Sequence, residues 1–238
     1  HPLELTMAGE SNLPLRFVRV KGRVGGAWQP WIDITTTPPA TFDYDGYRAS
    51  DCGNNGKIRL RAIDSVLMAA RAGTWVALID LVAENTRSLT DAGTFQASIT
   101  VPVVVEVSGL TDIILSYAGT GDLVDTRSFC IYANNAVPES VDVTISSLNG
   151  TGQFALNGVV FGGTVPYSLE FDNAASGTSW QTVTEGAALT GQNVTGGALS
   201  ALGGCSNVQL RLTAQAAQLQ AAVTDSYADT ITILVTPI

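Results

Sequence analysis

Apolar and polar residues alternate with a period of two along most of the chain. Val18, Val20 and Val24 fall on one side of a segment whose other side carries Arg19, Lys21 and Arg23, the pattern of a half-exposed strand. Ile58, Leu60 and Ala62 alternate in the same way with Lys57, Arg59 and Arg61. Trp75 to Val82 reads as a buried strand. Gly73-Thr-Trp75 recurs as Gly93-Thr-Phe95, so the strands these motifs open pair as a hairpin around a loop from Asn85 to Ala92. Phe95, Ala97, Ile99, Val101, Val103, Val105 and Val107 continue as an unbroken stripe. Pro102 lies on the opposite face, and its missing N–H suits an edge.

Beyond Ser108-Gly109 the pattern becomes one of short strands at regular spacing. They run over Asp112 to Tyr117, Ser128 to Tyr132, Val141 to Ser147, Gln153 to Leu156, Val165 to Phe171, Trp180 to Val183, Val208 to Leu212 and Thr230 to Val235. Gly, Asn, Asp and Ser separate them, as in a β-sandwich. Gly25-Gly26, Pro38-Pro39 and Asp51 to Gly56 are loop punctuation in the first half. Ser65 to Ala72 fits a short helical turn or a strand edge. Ala214 to Ala222 is the one further helix candidate, short and rich in Gln and Ala.

The two halves also resemble each other. Cys52 precedes Lys57-Ile-Arg-Leu-Arg61, a spacer and the closing strand Gly73 to Val82. Cys205 precedes Val208-Gln-Leu-Arg-Leu212, a spacer and the closing strand Ser226 to Val235. A repeated unit of this kind argues for two related domains in tandem. The expected fold is all-β, with β-sandwich domains over residues 1–108 and 109–238.

The 238 residues carry a net charge of −9, which disfavours nucleic-acid binding. Residues 1–108 hold ten Lys/Arg against eleven Asp/Glu, and residues 109–238 hold two against ten. Almost all positive charge therefore sits in the first domain, which suggests different partners for the two halves. No apolar stretch is long enough for a transmembrane helix. Abundant Gly, Thr, Ser, Val and Ala with few Lys and Glu suit an exported β-protein. A chain that starts at His1 suggests that a signal peptide or longer N-terminal region has been removed.

Cys130 and Cys205 each flank a strand. A disulfide between them would stabilise the second domain by roughly 4 kcal/mol in the chain-entropy model, and the exported composition favours it. Two buried free thiols are the alternative. Cys52 is left without a mate. If it is the counterpart of Cys205, its partner would lie before His1.

Familiar catalytic arrangements are missing. The one histidine is His1, so Ser-His-Asp and Cys-His chemistry is nearly excluded. No zinc, Walker or dinucleotide motif occurs, and no metal or cofactor is expected. Gly119-Thr-Gly121 and Asn149 to Gly152 read as hairpin turns. Asp122 and Asp125 could touch a cation but fit an ordinary loop better. Asp43 and Asp45 are the nearest thing to a glycosidase carboxylate pair.

Several segments resemble a known family. Gly73-Thr-Trp-Val-Ala-Leu-Ile-Asp-Leu-Val82, followed by Thr90 to Val101, resembles the end of the adhesin domain in tip subunits of alternate, colonisation-factor type chaperone–usher fimbriae. Phe129-Cys-Ile-Tyr132, Val165-Pro-Tyr-Ser-Leu169, Leu189-Thr-Gly-Gln-Asn193, Cys205-Ser-Asn207 and Tyr227-Ala-Asp-Thr-Ile-Thr-Ile-Leu-Val-Thr-Pro237 resemble the pilin domain of that group and of spore-coat-U-like pilins. The resemblance covers roughly residues 60–238, and residues 1–56 match nothing recognisable.

The resemblance implies that both domains are immunoglobulin-like and that the second is an incomplete sandwich lacking its last strand. Its groove would be filled first by a periplasmic pilus chaperone, and then at the outer-membrane usher by a strand from the adjacent pilin subunit. It further implies an extracellular location at the tip of a pilus. Thr230 to Val235 is the last strand before Ile238, as an incomplete domain requires, and Leu3 to Met7 alternates too briefly to be a good donor strand.

A receptor face is expected on the first domain. Period two places Arg19, Lys21 and Arg23 together, and likewise Lys57, Arg59 and Arg61. Trp28, Trp31, Tyr44, Tyr47 and Arg48 lie in the intervening loops. Cations beside aromatic platforms suit an anionic glycan. A solvated strand face with core tryptophans is the alternative. The function expected is that of a tip adhesin rather than an enzyme. A non-adhesive minor or polymerising pilin, or a secreted carbohydrate-binding or carbohydrate-active protein, are the competing readings.

Overall fold

A computed structural model describes residues 4–8, 10–24, 26–33, 56–84, 90–135 and 139–238. Cys52, Asp43, Tyr44, Asp45, Tyr47 and Arg48 lie outside the described residues. The chain is predominantly β and divides into two compact units, His1–Pro102 and Val103–Ile238. The stripe from Phe95 to Val107 is thereby split: Val101 is buried in the first unit, while Val105 and Val107 pack on the core of the second. The break falls at Pro102-Val-Val, where the ladder stops. The missing N–H of Pro102 makes this a natural place for it.

The first unit contains β1 (Glu4–Leu5), β2 (Leu13–Val24), β3 (Ala27–Trp28), β4 (Ile32–Asp33), β5 (Gly56–Ala62), the short helix α1 (Asp64–Met68), β6 (Gly73–Glu84) and β7 (Thr90–Val101). Strand β2 is the hub and pairs with β1, β3, β4 and β5. Strands β6 and β7 form the expected hairpin, in register from Gly73↔Val101 to Glu84↔Thr90. An isolated bridge, Thr6↔Val76, joins β6 to the residue following β1. Leu5, Leu15, Val18, Ala62, Ala70, Trp75, Ala77 and Val101 make the core. Trp75 is 1 % exposed, and its indole N–H donates to the Arg71 carbonyl at 3.1 Å, so the ring is buried without an orphaned donor. Helix α1 resolves the ambiguous segment near Ser65 as one turn, with Asp64 in its first turn.

The second unit contains β8 (Val105–Ser108), β9 (Leu123–Ala133), β10 (Ser140–Ser147), β11 (Ala155–Gly158), β12 (Thr164–Pro166), β13 (Ser168–Asp172), β14 (Gln181–Val183), β15 (Ala188–Asn193), β16 (Val208–Ala214), the helix α2 (Ala216–Ala221), β17 (Tyr227–Ala228) and β18 (Ile231–Pro237). One sheet has the order β14-β13-β16-β9-β8 and a second the order β15-β10-β18. A small sheet, β12-β11-β17, stands apart. The two main sheets bury one core. Phe129 and Ile131 from β9, Leu169 and Phe171 from β13, and Val208, Leu210 and Leu212 from β16 meet Val141, Val143 and Ile145 from β10. Alternation is strict in β10 and β16, where every second residue is buried.

The strands depart from the sequence pattern in three places. Val165 to Phe171 is two strands in two different sheets, parted at Tyr167, whose backbone N–H donates to the Phe154 carbonyl. Ala188–Asn193 is a strand that the mixed sequence Ala-Leu-Thr-Gly-Gln-Asn did not announce. Asp112 to Tyr117 joins no ladder, although its side chains still alternate between half-buried and exposed.

Cys130 and Cys205 form a disulfide with their Cα atoms 5.0 Å apart. Beside it, the buried Asn207 amide ties three segments together. Its Oδ1 accepts from Ile131 N at 3.0 Å, and its Nδ2 donates to the carbonyls of Ile131 at 3.0 Å and Val194 at 2.6 Å. These bonds satisfy buried backbone groups that no strand reaches.

Candidate functional site

In the first unit, antiparallel pairing of β2 with β5 joins the two cationic stripes. Arg19 stands directly opposite Arg59, and Lys21 opposite Lys57. Directly opposed residues share a face. Val18 and Val20 are buried on the other side, which leaves the cations on the outer one. Arg23 lies opposite Trp28, so that ring joins the same face.

Like charges placed directly opposite one another destabilise a sheet. The two tryptophans offset this repulsion. Trp28 lies beneath Lys57 Nζ (4.4 Å to the ring centroid) and Lys21 Nζ (5.2 Å). Trp31 lies beneath Lys21 Nζ (4.7 Å) and the Arg59 guanidinium (4.7 Å). Both rings are half-buried rather than part of the core. Their electron-rich faces attract cations and so offset part of the repulsion between them.

The other described cations of the expected patch, Arg19, Arg23 and Arg61, are already engaged. Arg19 Nε contacts Asp33 Oδ2 at 3.4 Å, Arg61 contacts Asp64 at 3.3 Å, and Arg23 Nε donates to the Gly26 carbonyl at 2.8 Å. Among the described residues, Lys21, Lys57 and Arg59 have no carboxylate within ion-pair distance. Among the described residues the centre of this positive charge is therefore these three cations over Trp28 and Trp31. Sequence periodicity identifies the face, but only the structure shows which of its described cations pair with a described carboxylate.

In the second unit, one flank is unfinished. Strand β18 pairs with β10 from Val141↔Pro237 to Ser147↔Ile231. Among the described residues its other edge meets no strand. Strand β8, the edge of the facing sheet, lies on the same flank and, among the described residues, pairs only with β9, from Val105↔Ala133 to Ser108↔Cys130. The opposite flank is closed, since Gln181 of β14 and Gln192 of β15 exchange side-chain hydrogen bonds of 2.8 and 3.3 Å.

Beyond β8 the chain continues over residues 111–117. No backbone hydrogen bond from this segment is found among the described residues. Ile113 and Leu115 nevertheless pack on the core, while Ile114 is 83 % exposed. From the other side Ile231, Ile233 and Val235 of β18 are only partly buried, while Leu234 points outward. Two edges with unpaired backbone thus border an incompletely covered apolar core, a template for one more strand.

Asp122 and Asp125 are each engaged by protein groups. Asp122 Oδ1 accepts from Ala216 N at 2.7 Å, Asp125 pairs with Arg127, and no group of three or more metal-binding side chains occurs among the described residues. A scan against protein-family models finds no match for this chain, and a comparison with curated proteins finds none either.

Proposed function

We infer that the chain is a subunit of a surface fibre of the chaperone–usher type. In this reading the second unit is an incomplete immunoglobulin-like sandwich that accepts a strand from a neighbouring pilin. The single observation that carries it is the open flank: among the described residues the outer edge of β18 and the backbone of residues 111–117 have no ladder partner, and half-buried Ile113, Leu115, Ile231, Ile233 and Val235 line the space beside them. An inserted strand would pair with the free edges while its alternate side chains fill the core, so affinity and register come from one element. A periplasmic chaperone would cover the flank before assembly, and the outer-membrane usher would exchange it for the donated strand.

The first unit supplies the adhesive function in this reading, at the pilus tip. Lys21, Lys57 and Arg59 over Trp28 and Trp31 offer charge and stacking surfaces to an anionic receptor such as a sialylated glycan.

The test of the strand-accepting role is thermal unfolding of the full chain with and without alternating Val-Thr peptides. A peptide that binds only the folded state raises the melting temperature in proportion to its concentration over Kd. A rise accompanied by new protection of β18 amides from hydrogen exchange supports the role. An unchanged melting temperature, with β18 already protected along both edges, would mean that the flank is closed in solution and would rule it out.

A further inference from the structure

The second unit has two cations, Arg127 and Arg211. Arg211 lies on the outer face of β16, paired with Glu170 at 2.6 Å and stacked over Trp180 at 4.3 Å. Arg127 lies on the inner face. In the β9–β16 ladder Arg127 stands opposite Leu210 and Asp125 opposite Leu212, just as Phe129 stands opposite Val208. Val208, Leu210 and Leu212 are all buried in the core. Asp125 and Arg127 therefore project toward the core side of the sheet, in phase with Phe129 and Ile131.

Two charged groups on the core side of a sheet are unusual, and these two are incompletely satisfied. Arg127 Nε lies 2.7 Å from Asp125 Oδ2, yet both atoms are shielded from solvent and neither has an aligned hydrogen-bond partner among the described residues. Their side chains stay 40 % and 24 % exposed, so the core does not close over the pair. Tyr117, in phase with Ile113 and Leu115, carries a third shielded polar atom, its hydroxyl, without a partner among the described residues. A filled core rarely leaves such groups unpaired. All three belong to β9 or to the 111–117 wall of the open flank.

The geometry points to a polar register mark inside the flank. The inference rests on the strand-accepting reading above and adds the chemistry of the occupant. The strand that fills the flank carries an uncharged side chain able both to donate and to accept (Asn, Gln, Ser or Thr) at the one inward position facing Asp125 and Arg127. Its other inward positions are apolar. The ion pair is already neutral, so a carboxylate or ammonium from the strand would add an unpaired charge in a dry site. A purely apolar side chain would bury the headgroups without hydrogen bonds. An amide or hydroxyl can donate to the Asp125 carboxylate and accept from the Arg127 guanidinium. A slip by one residue would turn the polar side chain to solvent, and a slip by two would set it against Phe129 or Leu123, so the mark selects one register.

The test uses the full chain and alternating Val-Thr peptides in which Asn replaces Val at each inward position in turn. One position is expected to bind about tenfold or more tightly than the all-Val parent, given the strength of hydrogen bonds to charged groups. The other positions should bind more weakly than the parent. In the double variant Asp125→Leu with Arg127→Leu, the preference should reverse and the all-Val peptide should bind best. Should that variant fail to fold, Asp125→Asn with Arg127→Gln keeps the shapes, and the preference should shrink toward none. Binding by every peptide with no favoured position overturns the register mark and leaves strand acceptance standing. Binding by none overturns both.

Discussion

The Tyr167 hydroxyl donates a 2.6 Å hydrogen bond to Asp229 Oδ2, and the same oxygen accepts from Ser147 Oγ at 2.6 Å. The second carboxylate oxygen accepts from Asn149 N at 3.3 Å. One side chain from the Tyr227-Ala-Asp-Thr motif thus anchors the end of β10 and the chain between β12 and β13. Burial, and then the Asp229 carboxylate, push the Tyr167 hydroxyl pKa well above the usual tyrosine range.

Asp229→Ala should therefore cost more than Tyr167→Phe. The first leaves several donors without an acceptor, about 2–3 kcal/mol, and the second removes one donor, about 1 kcal/mol. Urea unfolding of the full chain, following the second unit, measures both. Equal losses would mean that the hub does not act through Asp229.

The Cys130–Cys205 bond closes a loop with a sequence separation of 75. Replacing both cysteines by alanine should lower the stability of the second unit by about 4 kcal/mol in the chain-entropy model. The unfolding transition of the first unit, which lacks this bond, should not move. Calorimetry of the two proteins separates these transitions.

Gly197 is required by space rather than by φ. A Cβ there would lie 2.4 Å from the Ile131 carbonyl oxygen and 3.0 Å from Tyr132 Cα, both backbone atoms of β9. Gly197→Ala should destabilise by about 2 kcal/mol or more, because neither neighbour can rotate away. Gly186→Ala is the control: its Cβ meets open space and its φ of +71° is the sole obstacle, so its cost should be smaller.

Acid should weaken the second unit through Asp172. Burial alone would raise this carboxyl, but bonds from Ala174 N (3.0 Å), Ser176 Oγ (2.9 Å) and Gly177 N (2.7 Å) outweigh it and hold the pKa below its ordinary value of 3.8. A depressed native pKa stabilises fully above the unfolded value, and that stability is lost as pH falls through the native one. Unfolding free energies measured from neutral pH down through the carboxylate range should decline most steeply below pH 4. Asp172→Asn should lower the neutral-pH value and flatten the decline. Asp225 acts in the same sense on the exposed Val160-Phe161 tip, whose backbone N–H groups it accepts at 3.0 and 2.8 Å.

The cationic face separates stability from binding. Lys57→Gln with Arg59→Gln removes one member of each like-charged cross-strand pair. The melting temperature should stay level or rise slightly, while binding to a sialylated-glycan array should fall by at least tenfold, as expected for the loss of charge-assisted hydrogen bonds. Retained glycan binding would leave this face a solvated surface. A fall in the melting temperature would show that the cations serve packing.

Period two by itself determined much of this protein. Val18 and Val20 against Arg19 and Lys21, and the Gly-Thr-aromatic pair that opens β6 and closes on β7, are local patterns, because the strand pleat alone sets which face a residue takes. What lies across from each strand is not local. Asp112 to Tyr117 alternates like a strand but finds no ladder, and Ala188–Asn193 alternates poorly but finds one in β10, because pairing depends on a partner distant in sequence. Asp125 and Arg127 stand in phase with Phe129 in the sequence itself, but hydrophobic patterning discounts charged residues. Only the register against Leu210 and Leu212 shows that they face the core. Likewise, composition placed the cations in the first unit, while pairing of β2 with β5 decided that Lys21, Lys57 and Arg59 share two tryptophans. Sequence thus determined the faces of the strands, and tertiary structure decided their neighbours, since the free energy of pairing belongs to two segments at once.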